Sequence, residues 1–145
     1  QPGRTMLTLS FSPQGRDPAG RPLSACVSPL LHVGGYLAVE RGLVDLSNYE
    51  PRTNHFPLQF RTTFNPLNTL QLREGGSAPP FADLNRFQEM TGQKIDYVLL
   101  IGTPEVDLTH PDTRKLYEQL YEGYRRIKIK DSDFVELYEA TSARR

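Results

Sequence analysis

The sequence predicts an α/β fold: a mixed β-sheet of about five to six strands, about three helices packed on it, and a closing β-hairpin. Three observations carry this. Several short runs alternate with period two, as half-buried strands do. Three other segments carry apolar residues at three-to-four spacing and end in glycine. One continuous apolar run, Ile95-Asp96-Tyr97-Val98-Leu99-Leu100-Ile101, suits a central strand covered on both faces.

Taken in order, Arg4–Phe11 alternates and reads as a first strand. Pro13, Gly15, Pro18, Gly20 and Pro22 mark a loop over residues 12–25. Ser28-Pro29 then opens a helix, serine as cap and proline in the first turn, where its missing N–H costs nothing. That helix is expected to run from Pro29 to Arg41, with Gly42 as its left-handed terminator. Leu30, Leu31, Val33 and Leu37 are expected to bury against the sheet.

Leu43-Val44-Asp45-Leu46 predicts a short second strand before the turn-rich residues 47–54. Residues 56–61 alternate again, and Pro57 confines that strand to an edge or a strand start. From Thr62 to Pro80 there is no periodicity, and a mobile excursion of about 19 residues is expected, either functional or loose. Phe81–Thr91 reads as a helix with Leu84, Phe87 and Met90 inward and Gly92 as its stop. Thr109-His110-Pro111-Asp112 opens a third helix, with Leu116, Tyr117, Leu120 and Tyr121 facing inward and Gly123 closing it. Arg125–Lys130 and Phe134–Glu139 form the hairpin, and the tail from Thr141 to Arg145 is expected to fray.

The whole chain of 145 residues reads as one domain, with neither an internal repeat nor a second unit. Lys plus Arg balance Asp plus Glu at 17 each. This absence of a basic excess argues against a nucleic-acid partner. The basic run Tyr124–Lys130 alternates with apolar residues and is expected to be a strand with one solvated face. The single cysteine, Cys26, excludes an intramolecular disulfide and is expected to be a small buried hydrophobe. No run approaches the ~18–20 apolar residues of a membrane span. The chain opens Gln1-Pro2-Gly3-Arg4 without methionine, which predicts a piece of a longer protein.

No Walker-type phosphate loop, Gly-x-Gly-x-x-Gly after a strand, Gly-x-Ser-x-Gly elbow or His-Glu-x-x-His is present. No His or Cys pair has zinc spacing. The sequence therefore predicts no catalytic residue, no metal site and no cofactor. One polar constellation stands out on the first helix, where His32, Tyr36 and Glu40 recur every four residues and share a face. That stripe reads either as a boundary row with its polar tips bonded or as a ligand-facing row. Gly34-Gly35 is costly inside a helix, about 1 kcal/mol per glycine relative to alanine. Something must therefore approach the backbone there: a strand, another helix or a ligand. Glu40 and Arg41, near the helix end, could pair with Asp45 or Arg61, which would be a structural role.

A secondary candidate lies beyond the central strand, where ligands of open α/β sheets tend to sit. Glu105, Asp107 and His110 follow there. They suit either cation or acid–base chemistry, or ordinary capping of the next helix. Tyr117, Tyr121 and Tyr124 read as core-facing rows, with an aromatic sugar platform as the alternative.

Two stretches carry a family resemblance. The first is His32-Val33-Gly34-Gly35-Tyr36-Leu37-Ala38-Val39-Glu40-Arg41-Gly42 followed by Asn54-His55-Phe56-Pro57-Leu58-Gln59-Phe60-Arg61. The second is Asp96-Tyr97-Val98-Leu99-Leu100-Ile101-Gly102 with the terminal Phe134-Val135-Glu136-Leu137-Tyr138. Together they resemble the soluble C-terminal domain of bacterial polytopic membrane proteins described as glycosyltransferases of the dolichyl-phosphate-mannose mannosyltransferase type. Gly35 departs from that pattern, which has alanine, and Arg41-Gly42-Leu43 replaces its Gly-Gly pair.

The resemblance implies a non-catalytic accessory domain on the extracytoplasmic side of a bacterial membrane. Its partner would be the membrane-embedded portion of the parent chain, which carries the catalytic residues, and a sugar or polyprenyl-phosphate its ligand. His32, Tyr36, His55 and Arg61 are the pattern positions, with structural or ligand roles open. Two alternatives stand beside it: a stand-alone enzyme with a dispersed site around His32, Tyr36 and Glu40, and an interaction module docking through residues 62–80 or a sheet edge.

Overall fold

The computed structural model describes residues 3–17, 19–48, 59–73, 78–130 and 132–141. Strand β1 spans Thr5–Ser10. Helix α1 spans Val33–Arg41 and stops at Gly42, which takes a left-handed φ of 65°. The chain then turns directly into β2, Val44–Asp45, which lies parallel to β1. A 3-10 turn at Thr62–Phe64 and the short helix α2, Pro66–Thr69, follow. Helix α3 covers Leu84–Thr91, strand β3 Tyr97–Ile101 and helix α4 Pro111–Gly123. The hairpin strands are β4, Tyr124–Ile127, and β5, Val135–Ala140.

The sheet is mixed, in the order β2-β1-β3-β5-β4. β1 pairs in parallel with both β2 and β3, while β5 runs antiparallel to β3 and β4. The predicted class, a mixed sheet with three substantial helices ending in a hairpin, is the one observed. The run Ile95–Ile101 supplies the central strand, and Val98, Leu99, Leu100 and Ile101 are all buried.

Two clusters sandwich the sheet. The larger joins Leu7, Leu9, Val98 and Leu100 to Phe81, Leu84, Phe87, Leu116 and Leu120. Burying each such side chain fully is worth about 1.5–3 kcal/mol. The smaller cluster, Met6, Ala38, Leu99 and Ile101, lies under α1. Leu137 and Val135 pack at its margin and stay partly exposed.

Several expectations need correcting. Helix α1 begins at Val33 rather than Pro29, because residues 28–31 close a turn in which the Leu31 N–H donates to the Ser28 carbonyl at 3.0 Å. Its buried row is Gly34 and Ala38, not Leu37, which is 36% exposed. Small residues let the helix lie directly on β1. Helix α3 starts at Leu84, where Asp83 caps it by accepting from the Arg86 N–H at 3.0 Å. Met90 and Tyr121 point outward, at 51% and 68% exposure, and Cys26 is exposed.

Residues 62–73 are not a loose excursion. α2 buries Pro66 and Thr69, Leu70 and Leu72 enter the main core, and Arg73 bridges to Phe81. Alternation was a poor guide because each buried side chain serves a different neighbour. Of the expected 56–61 strand, Gln59, Phe60 and Arg61 are not in a strand, and residues 56–58 lie outside the described residues. Residues 74–77 and all of the tail except Thr141 lie outside them too.

Candidate functional site

The helical stripe borders a groove between α1 and the chain leaving β2. The groove encloses about 560 Å3 and is lined, among the described residues, by His32, Gly35, Tyr36 and Val39 from the helix side. Asp45, Ser47 and Asn48 face them from the end of β2, with Phe60 closing the far wall. Local folding explains the arrangement. Gly42 reverses the chain, the Leu43 N–H donates to the Ala38 carbonyl at 2.8 Å, and the Val44 N–H then joins the Arg4 carbonyl at 2.8 Å. The loop after β2 is therefore brought back alongside the helix face that carries residues 32 and 36.

The two glycines have separate jobs. A Cβ on Gly34 would lie 2.0 Å from Thr8 Oγ1 and 2.6 Å from Thr8 Cβ, so this glycine is required by the strand beneath. A Cβ on Gly35 would meet only Asp45 Oδ2, at 3.6 Å. Gly35 is open on the groove side and leaves that carboxylate oxygen uncovered.

Asp45 is half committed. Its Oδ1 accepts from the Ser47 N–H at 3.0 Å and from the Ser47 hydroxyl, closing an Asx turn. Oδ2 makes no hydrogen bond or ion pair among the described residues. On the helix wall Tyr36 is 79% exposed and Val39 85%. Apolar side chains exposed singly are ordinary, but a contiguous set rimming a groove marks a binding surface.

Of the remaining primary candidates, Glu40 and Arg61 are not among the residues lining the groove. Glu40 is exposed and sits 3.8 Å from Arg41, its own neighbour, rather than pairing with Asp45 or Arg61. Arg61 is exposed and serves as the N-cap of the 3-10 turn. It stands one residue from the groove-lining Phe60, which the sequence reading passed over. His55 lies outside the described residues.

The secondary cluster separates into three. His110 is the N-cap of α4, where Nδ1 accepts from the Asp112 N–H at 3.3 Å. Asp107 accepts from the Thr109 hydroxyl at 2.7 Å and its N–H at 2.8 Å. Those bonds, with His110 nearby, hold the carboxyl below its ordinary range. Both residues are engaged in capping chemistry. Glu105 alone faces a crevice, of about 390 Å3, with Ser12 and Arg16. Ser12 donates to Glu105 Oε1 at 2.6 Å, and Arg16 Nε lies 3.5 Å from the same oxygen.

That crevice opens beyond the carboxyl ends of β1 and β3, the adjacent parallel strands whose connections depart to opposite faces. It is the topological switch point at which such sheets bind ligands. Here the acid, the hydroxyl and the guanidinium satisfy one another, whereas the α1 groove keeps an open acceptor.

Of the three tyrosines weighed as a sugar platform, Tyr117 and Tyr124 are buried and Tyr121 is exposed. Tyr117 and Tyr138 both donate to Glu136 Oε2, at 3.1 and 2.9 Å, and Arg126 pairs with its other oxygen at 2.9 Å. Burial first, then the neighbouring Glu136, pushes both phenols above their ordinary range. Tyr121 stands outside against the edge of Tyr117, ring centroids 5.8 Å apart.

Among the described residues, no group of three or more His, Cys, Asp or Glu is arranged to hold a metal ion. No helix among them is long and apolar enough to cross a membrane. Asp45, Ser47, Asn48 and Phe60 are the groove residues that sequence reasoning missed. The available signal was an Asp-x-Ser turn at the carboxyl end of a predicted strand, directly after the helix bearing the polar stripe. No family model, curated protein or solved structure matches the chain.

Proposed function

We propose that this chain is a non-catalytic, ligand-binding accessory domain of a larger membrane protein, and that the groove between α1 and β2 is its binding site. One observation carries the binding role: His32 and Tyr36 line the same groove as Asp45, whose free oxygen faces the side-chain-free backbone of Gly35. Such a mix of apolar walls with a few convergent polar groups is the usual make-up of a small-molecule site. The setting rests on the resemblance of the helix and central-strand motifs to accessory domains of polytopic glycosyltransferases. In that setting the catalytic residues belong to the membrane-embedded portion, and this domain faces the extracytoplasmic side.

The resemblance names a sugar or a polyprenyl-phosphate as ligand. The groove lining weighs against the phosphate, because no lysine or arginine lines it among the described residues and Asp45 would repel an anion.

A thermal-shift screen against sugars, polyprenyl-phosphate analogues, nucleotides, divalent metals and organic amines tests the binding role, run in parallel on Gly35→Ala. Ligand at 100 times its dissociation constant stabilises the native state by about 2.7 kcal/mol. A shift in the parent chain that Gly35→Ala abolishes supports the groove; a shift equal in both, or none with any class, refutes it. Fractionation of the full-length gene product tests the setting, and recovery of that product in the soluble fraction would refute it.

A further inference from the structure

Resting on the groove as the binding site, we infer that its ligand is an organic ammonium compound, a primary or secondary amine carried on an apolar body. The argument starts from Asp45. Two donors from Ser47 consume Oδ1, so the carboxylate offers a single acceptor, Oδ2. Recognition of a sugar commonly uses both oxygens of a carboxylate to span neighbouring hydroxyls. A lone charged oxygen instead matches one point donor, and a charged donor makes the stronger bond.

The surroundings select the same chemistry. No lysine or arginine lines the groove among the described residues, so an incoming cation meets no lysine or arginine charge from them. Tyr36 lines the groove as an exposed aromatic side chain, and aromatic faces attract ammonium groups within ~6 Å. Val39, on the same helix face as Tyr36, adds exposed hydrocarbon, at 85%. An ammonium head at Asp45 thus leaves its apolar body along Tyr36 and Val39, covering surface that otherwise faces water. Gly35 is what keeps the head's path open, since a methyl there would touch Oδ2.

Isothermal titration calorimetry with 2-phenylethylammonium, 2-phenylethanol, methyl glucoside and inorganic phosphate tests this. The ammonium compound should bind, with the isosteric alcohol at least tenfold weaker. Asp45→Asn keeps the Oδ1 acceptor for Ser47 and removes the charge, so it should weaken the amine tenfold or more and leave the alcohol unchanged. Gly35→Ala should weaken both. Equal affinity for amine and alcohol, or an amine affinity unchanged by Asp45→Asn, overturns the ammonium assignment. Methyl glucoside binding that Gly35→Ala abolishes overturns it too, while leaving the groove as the site. Binding of any probe that neither variant alters, or no binding at all, overturns the groove reading along with it.

Discussion

Replacing Gly34 and Gly35 one at a time by alanine separates fold from function within two adjacent residues. Both changes add the same methyl to α1, and both should gain about 0.8–1 kcal/mol of helix propensity. At Gly34 the new Cβ would sit 2.0 Å from Thr8 Oγ1 and 2.6 Å from Thr8 Cβ. Rotating Thr8 about χ1 moves the hydroxyl but not the Cβ, which is fixed to β1. The helix must therefore lift from the strand and loosen the Met6–Ala38 packing beneath it. Overpacking of this kind costs about 1–3 kcal/mol, occasionally more, and a contact this short belongs at or beyond the upper end. After the propensity gain, Gly34→Ala should lose about 2 kcal/mol.

At Gly35 the nearest atom lies at an ordinary contact distance of 3.6 Å, so the propensity gain should survive and raise stability by up to about 1 kcal/mol. With roughly 3–4 °C per kcal/mol for a domain of this size, the midpoints should fall by about 7 °C and rise by about 3 °C. Urea and thermal denaturation followed by circular dichroism read both. Equal stabilities for the two variants, or a loss at Gly35 matching that at Gly34, would refute the assignment of one glycine to the strand and the other to the groove.

Other perturbations test the supporting structure. Asp83 caps α3 and receives Lys115 Nζ at 2.7 Å; burial works to raise its carboxyl pKa, but Lys115 and the Arg86 N–H outweigh it and hold the value below the ordinary range. A depressed carboxyl stabilises the fold above its unfolded value of about 3.9, and that contribution disappears as pH falls through the folded value. The parent chain should thus exceed Asp83→Asn in stability at pH 7, and their urea midpoints should converge as pH falls through the folded value. Glu136→Gln should cost about 1–3 kcal/mol in urea denaturation, because it leaves Arg126 without its charged partner and weakens two tyrosine bonds. Burial raises the phenols of Tyr117, Tyr124 and Tyr138 above the ordinary range. Stability should therefore decline as pH rises past about 10, and absorbance titration should show these three ionising only with alkaline unfolding. Three phenols that ionise near pH 10 in the folded chain would contradict their burial.

The architecture was legible where one physical requirement dominated a stretch. Gly42 and Gly92 stop their helices in left-handed conformation, at φ 65° and 70°, because only glycine takes that conformation without strain. The run at 95–101 became the central strand because both faces needed apolar cover. Errors arose where tertiary contact overrode local pattern. Leu37 looked like a core residue, but the close approach of α1 to β1 admits only Gly34 and Ala38, and the leucine is turned outward. Residues 62–73 looked like a loop because α2 is too short to show periodicity, yet Leu70 and Leu72 are core.

The candidate site was half legible for the same reason. Spacing of four placed His32 and Tyr36 on one face, and the groove uses both. The same spacing added Glu40, which is exposed and does not line the groove although its neighbour Val39 does. Asp45, Ser47 and Phe60 come from the opposite wall, and only the return of the chain after Gly42 brings them there. Glu105, Asp107 and His110 are close in sequence, but a second 3-10 turn, Thr103–Glu105, and the cap of α4 send them to different neighbours.

The claim that the groove between α1 and β2 is the binding site is tested most directly by amide chemical-shift mapping of a ligand that stabilises the chain, on the parent and on Gly35→Ala. The account predicts perturbations concentrated at residues 32–39, 43–48 and 60 in the parent and their loss in Gly35→Ala. Perturbations centred instead on Ser12, Arg16 and Glu105, or unchanged by the added methyl, would contradict it and place binding at the switch-point crevice or elsewhere on the sheet.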